Sequence, residues 1–423
     1  MARILILTPQ LPYPPHQGTT IRNFNLIAGL ARRHELDLLT FLSPGQTAPV
    51  EVGGRGAGDE GGRSPAPSAF QAPITPLQSL CRSIVAEPQP SRKLSRRAWD
   101  TLFNPLPDMA LRLASPVMAG NLARLIHENE YDVIQVEGIE MAPYVLGLTG
   151  RSRLIFDDHN AEYLLQRRTF LTDARRPRRW LAAAYSLVQW RKLTAYERRI
   201  CQFAGRVVAV SEADREALRR LSPGLDVKVV PNGVDLDFYR PGVLPPAPGL
   251  SPHALVFTGK MDYRPNVDAV LWFAEAVLPL VLAQVPGARF YVVGQQPHAR
   301  LEALDGRPAI TITGRVPDVR PYIAGAAVYV VPLRIGGGTR LKVLEAMAMG
   351  QAVVSTRLGC DGFPFEDGRQ VRLADSAEAF AATVVELLLQ RAQAAALGRA
   401  ARAEVERQYG WDAIVPLLEG LYS

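Results

Sequence analysis

The sequence predicts an α/β protein built from two parallel-sheet domains. Two observations carry that prediction. Short apolar runs alternate with helical patterns in both halves of the 423-residue chain, which is long for a single core. Proline- and glycine-rich breaks, Pro231-Asn232-Gly233 and Pro245-Pro246-Ala247-Pro248-Gly249, fall between the halves. The expected domains are 1–230, with a flexible insertion at 43–68 and a terminal helix at 406–423 packing back on it, and 231–405.

Arg3 to Thr8 reads as the first strand, Thr19 to Arg33 as a helix with Ile21, Phe24, Ile27 and Leu30 on one face, and Glu35 to Leu42 as the next strand. This βαβ pattern implies a parallel sheet. The loop between them, Pro9 to Thr19, lacks the GxGxxG of a dinucleotide fold, which weighs against a dehydrogenase. Glycine, proline and small polar residues dominate 43–68, the composition of a mobile insertion. Residues 76–130 read as several short helices. Strands are expected at Tyr131 to Glu137, Arg153 to Asp157, Arg206 to Ser211 and Val227 to Val230. Asp173 to Ile200 reads as a long helical region crowded with arginines and carrying Trp180 and Trp190. Two readings stay open there: a helix packed on the sheet by one face, and a basic amphipathic helix lying on an anionic membrane.

In the second half, strands are expected at Ala254 to Thr258, Arg289 to Val293, Ala309 to Thr313, Ala327 to Val331, Ala352 to Thr356 and Gln370 to Leu373. Several are apolar throughout, as when both sheet faces are covered. The run Val267 to Val285 holds Asp268, Glu275, Pro279 and Gln284 and does not read as a membrane span.

Composition narrows the function classes. The chain is 48% apolar and 21% charged, with net charge +7, which favours anionic partners such as nucleotide sugars or acidic lipid surfaces. The basic residues are not interleaved with aromatics and form no recognition module, so nucleic acid is not expected. Cys81, Cys201 and Cys360 are far apart, without CxxC, which fits a reducing compartment and neither a disulfide framework nor a zinc site. The apolar start Ile4-Leu5-Ile6-Leu7 is too short for a signal peptide. A cytoplasmic protein is therefore expected, with peripheral contact at the inner face of a membrane left open.

The stretch Ala327 to Gly350 is read as carrying the chemistry; the other reading is a glycine-rich turn before a core helix with a solvated charged face. A strand runs into Gly336-Gly337-Gly338, and a helix is expected from near Thr339, with Leu341, Leu344, Met347 and Ala348 on its apolar face. Glycines let backbone amides close on an anion, and a helix start adds donors and a positive dipole end. Arg340 and Lys342 would oppose that dipole unless an anion sits there. Glu345 lies about 9 Å further along the axis, where a carboxylate can accept hydrogen bonds from a sugar. Two other strand ends point the same way: Thr258-Gly259-Lys260 with Arg264, and Thr313-Gly314-Arg315-Val316. His159 follows the strand ending at Asp157, at the edge where parallel sheets place ligand-binding groups.

These motifs resemble those of retaining glycosyltransferases of family four, which have the GT-B fold, two Rossmann-like domains facing a cleft. The closest likeness is to sugar transferases of bacterial exopolysaccharide systems, on Met261-Asp262-Tyr263-Arg264-Pro265-Asn266-Val267-Asp268 and Gly336-Gly337-Gly338-Thr339-Arg340-Leu341-Lys342. The resemblance implies that Glu345 binds the nucleotide ribose. The family's first glutamate falls on Gly337, so that carboxylate is missing. Its second diphosphate-binding lysine falls on Pro265. Lys260 matches the first basic residue, and Arg264 stands one place short of the second.

By the same resemblance, His159 contacts the transferred sugar or acceptor, the backbone at Val316 meets the nucleobase, and Gly18 and Thr19 approach the donor diphosphate. A rigid surface loop is the other reading at Gly18 and Thr19. The implied catalytic residues are His159, Lys260 and Arg340. Gly337, Gly338, Thr339, Leu341 and Lys342 join the donor-binding set. No cofactor or metal is expected beyond the donor itself. The implied reaction moves a sugar from a nucleotide-diphosphate sugar to a hydroxyl of a glycan or polyprenyl-linked glycan. A nucleotide-sugar epimerase and a non-catalytic nucleotide-sugar-binding protein are the alternatives.

Overall fold

The structure, a computed structural model, describes residues 1–43, 75–149, 152–304 and 306–422. All of the 43–68 insertion except Ser43 lies outside them. The chain divides into two compact units, Met1–Pro231 with Val415–Ser423, and Asn232–Ile414.

The first unit holds seven parallel strands, β1 (Arg3–Thr8), β2 (Glu35–Leu42), β3 (Ser83–Pro88), β4 (Val133–Glu137), β5 (Arg153–Asp158), β6 (Arg206–Ala209) and β7 (Val227–Val229), in the order β3-β2-β1-β4-β5-β6-β7. Leu5 and Leu7 of β1, Phe41 of β2, Val136 of β4 and Phe156 of β5 are fully buried in one apolar core. Each such side chain contributes about 1.5–3 kcal/mol. Strand β3 falls inside the stretch expected to be helical. It sits at the sheet edge, is only half-buried and ends at Pro88, so it lacks the apolar run that marks a central strand.

The helical region expected over 173–200 is a hairpin of two helices, Glu162–Ala174 and Trp180–Ala204, broken at Pro177. Proline has no N–H to continue the first helix and is well placed to open a new turn.

The second unit holds β8 (Ala254–Thr258), β9 (Arg289–Val293), β10 (Ile310–Gly314), β11 (Val328–Val331), β12 (Val353–Ser355) and β13 (Arg372–Leu373), all parallel, in the order β10-β9-β8-β11-β12-β13. The apolar segment Arg264–Gln284 is long enough to cross a membrane, but Val267, Val270, Phe273, Val277 and Val281 are buried in this unit's core.

In both sheets the strand order reverses beside the first strand, between β1 and β4 and between β8 and β11. The loops leaving the carboxyl ends of neighbouring strands diverge there and leave a crevice, the place where doubly wound sheets bind ligands.

The chain returns to the first unit through the Trp411–Glu419 helix. Val415 packs where Gly29 has no side chain, since a Cβ there would lie 2.4 Å from a Val415 methyl. Glu419 accepts a hydrogen bond from Arg33 at 2.8 Å and lies 3.3 Å from His34 Nε2.

Candidate functional site

In the second unit the residues gather at the β8–β11 reversal. Gly259 follows β8 at φ +153°, and a Cβ there would lie 2.7 Å from Lys342 Nζ and 2.8 Å from Asn266 Nδ2. Asn266 ties the loop together: its Nδ2 donates to the Lys260 carbonyl at 2.8 Å, and its Oδ1 accepts from Lys342 Nζ at 2.9 Å. The same ammonium lies 4.0 Å from the centroid of the Phe257 ring. Burial, reinforced by the charge of Arg340 and opposed by Glu345, pushes Lys342 down to about 7.

The helix expected from Thr339 runs over Leu341–Ala348, with Arg340 as its N-cap. Arg340 and Thr339 therefore precede the first turn. The three-glycine loop needs left-handed backbone at Gly336 (φ +109°) and Gly338 (φ +79°), which disrupts helical geometry upstream. Arg340 is buried, with Nη1 donating to the Gly337 carbonyl. Its other terminal nitrogen lies 2.9 Å from where a Gly336 Cβ would stand, and Pro265 Cγ lies 3.1 Å from the same point. Lys342 and Arg340 thus meet the 259–266 loop from the far side of the reversal.

Leu341 packs against the core, leaving its backbone as its contribution to the site. Thr339 accepts a hydrogen bond from Asn232 Nδ2. Burial raises Glu345 above its ordinary value, against the neighbouring Tyr239 hydroxyl and Lys342, which lower it. Lys260 is half-exposed and pairs with Asp262 at 3.2 Å. Arg264 is exposed in the first turn of the Arg264–Trp272 helix. Val316 packs against the core in the loop after β10.

The ends of β8 and β9 are pressed together. A Cβ on Gly294 would lie 1.7 Å from the Gly259 carbonyl oxygen, far inside contact distance. Gly294→Ala is expected to push the Gly259–Lys260 loop away from Lys342. It should weaken nucleotide binding about tenfold or more, read by titration calorimetry, and lower the melting temperature too, since backbone has to shift to admit the methyl group.

In the first unit His159 stands just beyond β5. Its Nε2 lies 2.8 Å from Glu137 Oε2 at the end of β4. Glu137 also accepts from Gln135 Nε2, and Gln135 Oε1 accepts from the Tyr422 hydroxyl. Burial opposes charge on His159, but Glu137 and Asp157 raise it above its ordinary value, while burial of Glu137 is overcome by His159 and Arg22, which lower it. Both shifts favour the charged imidazolium and carboxylate forms of the pair.

Asp157 is held by Arg22 at 2.6 Å, and burial raises it to about 6 against that attraction. Glu137, Asp157 and His159 offer ligand atoms within 4.8 Å of one another. The Arg22 guanidinium already supplies positive charge to this cluster, and His159 and Gln135 engage both Glu137 oxygens. The arrangement reads as a hydrogen-bonded network orienting His159.

A cavity of about 440 Å³ opens beside His159, lined by Gln10, Thr19, Arg112, Glu140 and Glu162 among others. Burial, with Glu140 and Glu197 nearby, pushes Glu162 up to about 8. Gly18 opens the Gly18–Leu30 helix, but its capping box is formed by Gln17 and Thr20, so Thr19 is left on the cavity wall.

Sequence reasoning missed Asn266, Tyr239, Glu137, Gln135 and Arg22. The signal for Gln135 and Glu137 was present: two polar residues alternating in an apolar, fully buried strand must have polar partners.

A family model described as "Glycosyltransferase Family 4" matches residues 17–238, more than half of the chain, and one described as "Glycosyl transferases group 1" matches residues 252–390. The chain belongs to glycosyltransferase family 4. It is similar to an "Uncharacterized 44.6 kDa protein in cps region" of Klebsiella pneumoniae, 25% identical over 139 residues, 31% of this chain and 36% of that protein. It is also similar to a phosphatidyl-myo-inositol mannosyltransferase of Mycolicibacterium smegmatis, 29% identical over 226 residues, 52% of this chain and 57% of the relative. These matches span less than two thirds of either relative. Anabaena HepE, solved in complex with UDP and glucose, has the same fold: TM-score 0.64 at 16% identity, covering 100% of both chains. The family 4 chain thus has the GT-B fold, with two parallel-sheet α/β domains.

Proposed function

We propose that this family 4 chain transfers a hexosyl group, with retention, from a nucleotide-diphosphate sugar to a hydroxyl of a glycan or polyprenyl-linked glycan. The observation that carries the reading is the convergence of Arg340, Lys342 and two glycine loops at the β8–β11 reversal. Such a site suits a diphosphate: amides and cations meet it where its leaving charge develops. Lys342 supplies, from the opposite side of the crevice, the charge that the family's lysine would bring at Pro265.

Breaking the bond from the sugar's anomeric carbon to the β-phosphate oxygen leaves negative charge on the diphosphate. The acceptor oxygen bonds that carbon on the same face, and its proton passes to a phosphate oxygen. Lys260, Arg340 and Lys342 stabilise the leaving group, and Glu345 holds the ribose. His159, charged and oriented by Glu137, donates a hydrogen bond to a sugar hydroxyl or to the acceptor.

The Klebsiella relative in a cps region supports a role in cell-surface or exported polysaccharide synthesis. On this reading the chain works at the cytoplasmic face, with the donor as its only small-molecule requirement. HepE supports UDP-sugars as the first donors to test.

A thermal-shift screen against UDP-, GDP- and ADP-sugars identifies the donor, since a ligand bound only to native protein raises the melting temperature. Glu345→Ala is expected to abolish both that shift and sugar transfer to a glycan acceptor. Transfer that survives the substitution refutes the site. A shift with no transfer under any acceptor supports a binding protein, the reading that the absent carboxylate at Gly337 favours.

A further inference from the structure

The Leu94–Phe103 helix is amphipathic in the inverted sense. Its Asp100 turns inward and is held by Arg92, just before the helix, at 2.8 Å; Arg92 also bonds Asp108 at 3.0 Å, and Arg97 bonds Asp108 at 3.1 Å. Lys192 of the Trp180–Ala204 helix donates to the carbonyls of Asp100 and Thr101 at 3.1 and 2.7 Å. The apolar face points away from the protein. Leu94, Trp99, Leu102 and Phe103 are between 60% and 78% exposed, and the Trp99 and Phe103 rings pack on each other with centroids 4.3 Å apart. A helix normally buries its apolar stripe and solvates its charges. Here ion pairs fasten the helix to the domain while the stripe faces outward.

A second apolar patch adjoins it. Trp180 and Leu181, at the start of the Trp180–Ala204 helix, are 64% and 91% exposed. Tyr185, one turn on from Leu181, lies beside Arg97 of the inverted helix. Exposed basic residues flank both patches: Lys93 and Arg96 on one side, Arg175, Arg176 and Arg178 on the other.

We propose that this joint surface docks on an anionic lipid bilayer. Tryptophan and leucine side chains enter the boundary between headgroups and acyl chains, and the arginines meet lipid phosphates. The charge argues for lipid over a second copy of the chain, because two such faces meeting would set their arginines against each other. The surface lies in the first unit and shares no residue with the donor loops, so its test does not depend on transfer activity.

The full chain is expected to co-sediment with vesicles of phosphatidylcholine and phosphatidylglycerol mixed about two to one, and to stay in solution with pure phosphatidylcholine. The double substitution Trp99→Ser, Phe103→Ser should lower partitioning about tenfold or more at an unchanged melting temperature, since both rings are exposed in the folded chain. Arg176→Glu with Arg178→Glu should abolish the dependence on phosphatidylglycerol while leaving the aromatic face intact. Absence of co-sedimentation by the full chain overturns the proposal. So does equal partitioning of the Trp99/Phe103 variant. A dimer in sedimentation velocity that this variant converts to monomer assigns the face to a second copy and overturns the proposal as well.

Discussion

Lys342→Met lowers kcat/KM by about two to three orders of magnitude, the loss that follows removal of one fixed donor from a developing anion. The pH signature separates this from a packing defect. In the free protein burial and Arg340 hold Lys342 down at about 7. A bound diphosphate favours the charged ammonium and raises its pKa, so at pH 8 donor binding draws a proton from solution. Calorimetry in two buffers of different ionisation enthalpy measures that uptake. It should be present in the parent protein and absent in Lys342→Met, and equal uptake in both would reject the assignment.

Stability carries the opposite mark. The folded pKa lies below the ordinary 10.5, so the unfolded chain binds the extra proton between about 7 and 10.5. The cost of burying the ammonium is fully present below about pH 7 and fades as pH rises toward 10.5. Without ligand, Lys342→Met should therefore melt above the parent at pH 6, and the gap should close toward pH 10.

Arg22→Ala is expected to destabilise the first unit by about 3–5 kcal/mol, because it strands Asp157 without its buried counter-ion. The Pro231 carbonyl, which accepts from Arg22 Nη1 at 3.0 Å, loses its donor as well. The pH dependence follows from Asp157. Burial has already raised it to about 6, and without Arg22 it rises further. A raised acid binds a proton in the folded state at pH values where the unfolded chain has lost it, so the variant's deficit should be larger at pH 8 than at pH 5. Denaturant unfolding reads this when followed on the first unit's own transition, because two units need not unfold as one step. Arg22→Lys should recover little, since one ammonium cannot hold Asp157 through two nitrogens and reach Pro231 too. A loss below about 1 kcal/mol would mean that the pair is relaxed by water, against the burial seen here.

The parallel sheets were legible because their central strands, such as Ala254–Thr258, are short apolar runs ended by turn residues. Edge strand β3 was not, because half-burial leaves an ordinary surface composition. At the β8–β11 reversal the glycines, Arg340, Lys342 and Glu345 stand out in a linear reading as a strand-to-helix turn with unexplained charge. The position of the Lys342 ammonium did not stand out, because a helix residue reaching Asn266 across 76 positions leaves no local pattern. Pro265 marked only a vacancy, and three dimensions were needed to see a cation beside it. Likewise His159 was recognisable after its strand, while its partner Glu137 was hidden in a neighbouring one.

The Tyr422–Gln135–Glu137–His159 chain of hydrogen bonds joins residues 287 positions apart, with the whole second unit synthesised between them. A nascent chain emerging from the ribosome builds the β1–β7 sheet long before Tyr422 exists. During that interval Gln135 and Glu137 are buried polar groups lacking part of their network, which is costly in a low-dielectric core. The Glu137 carboxylate that holds His159 is thus tied through Gln135 to the far end of the chain.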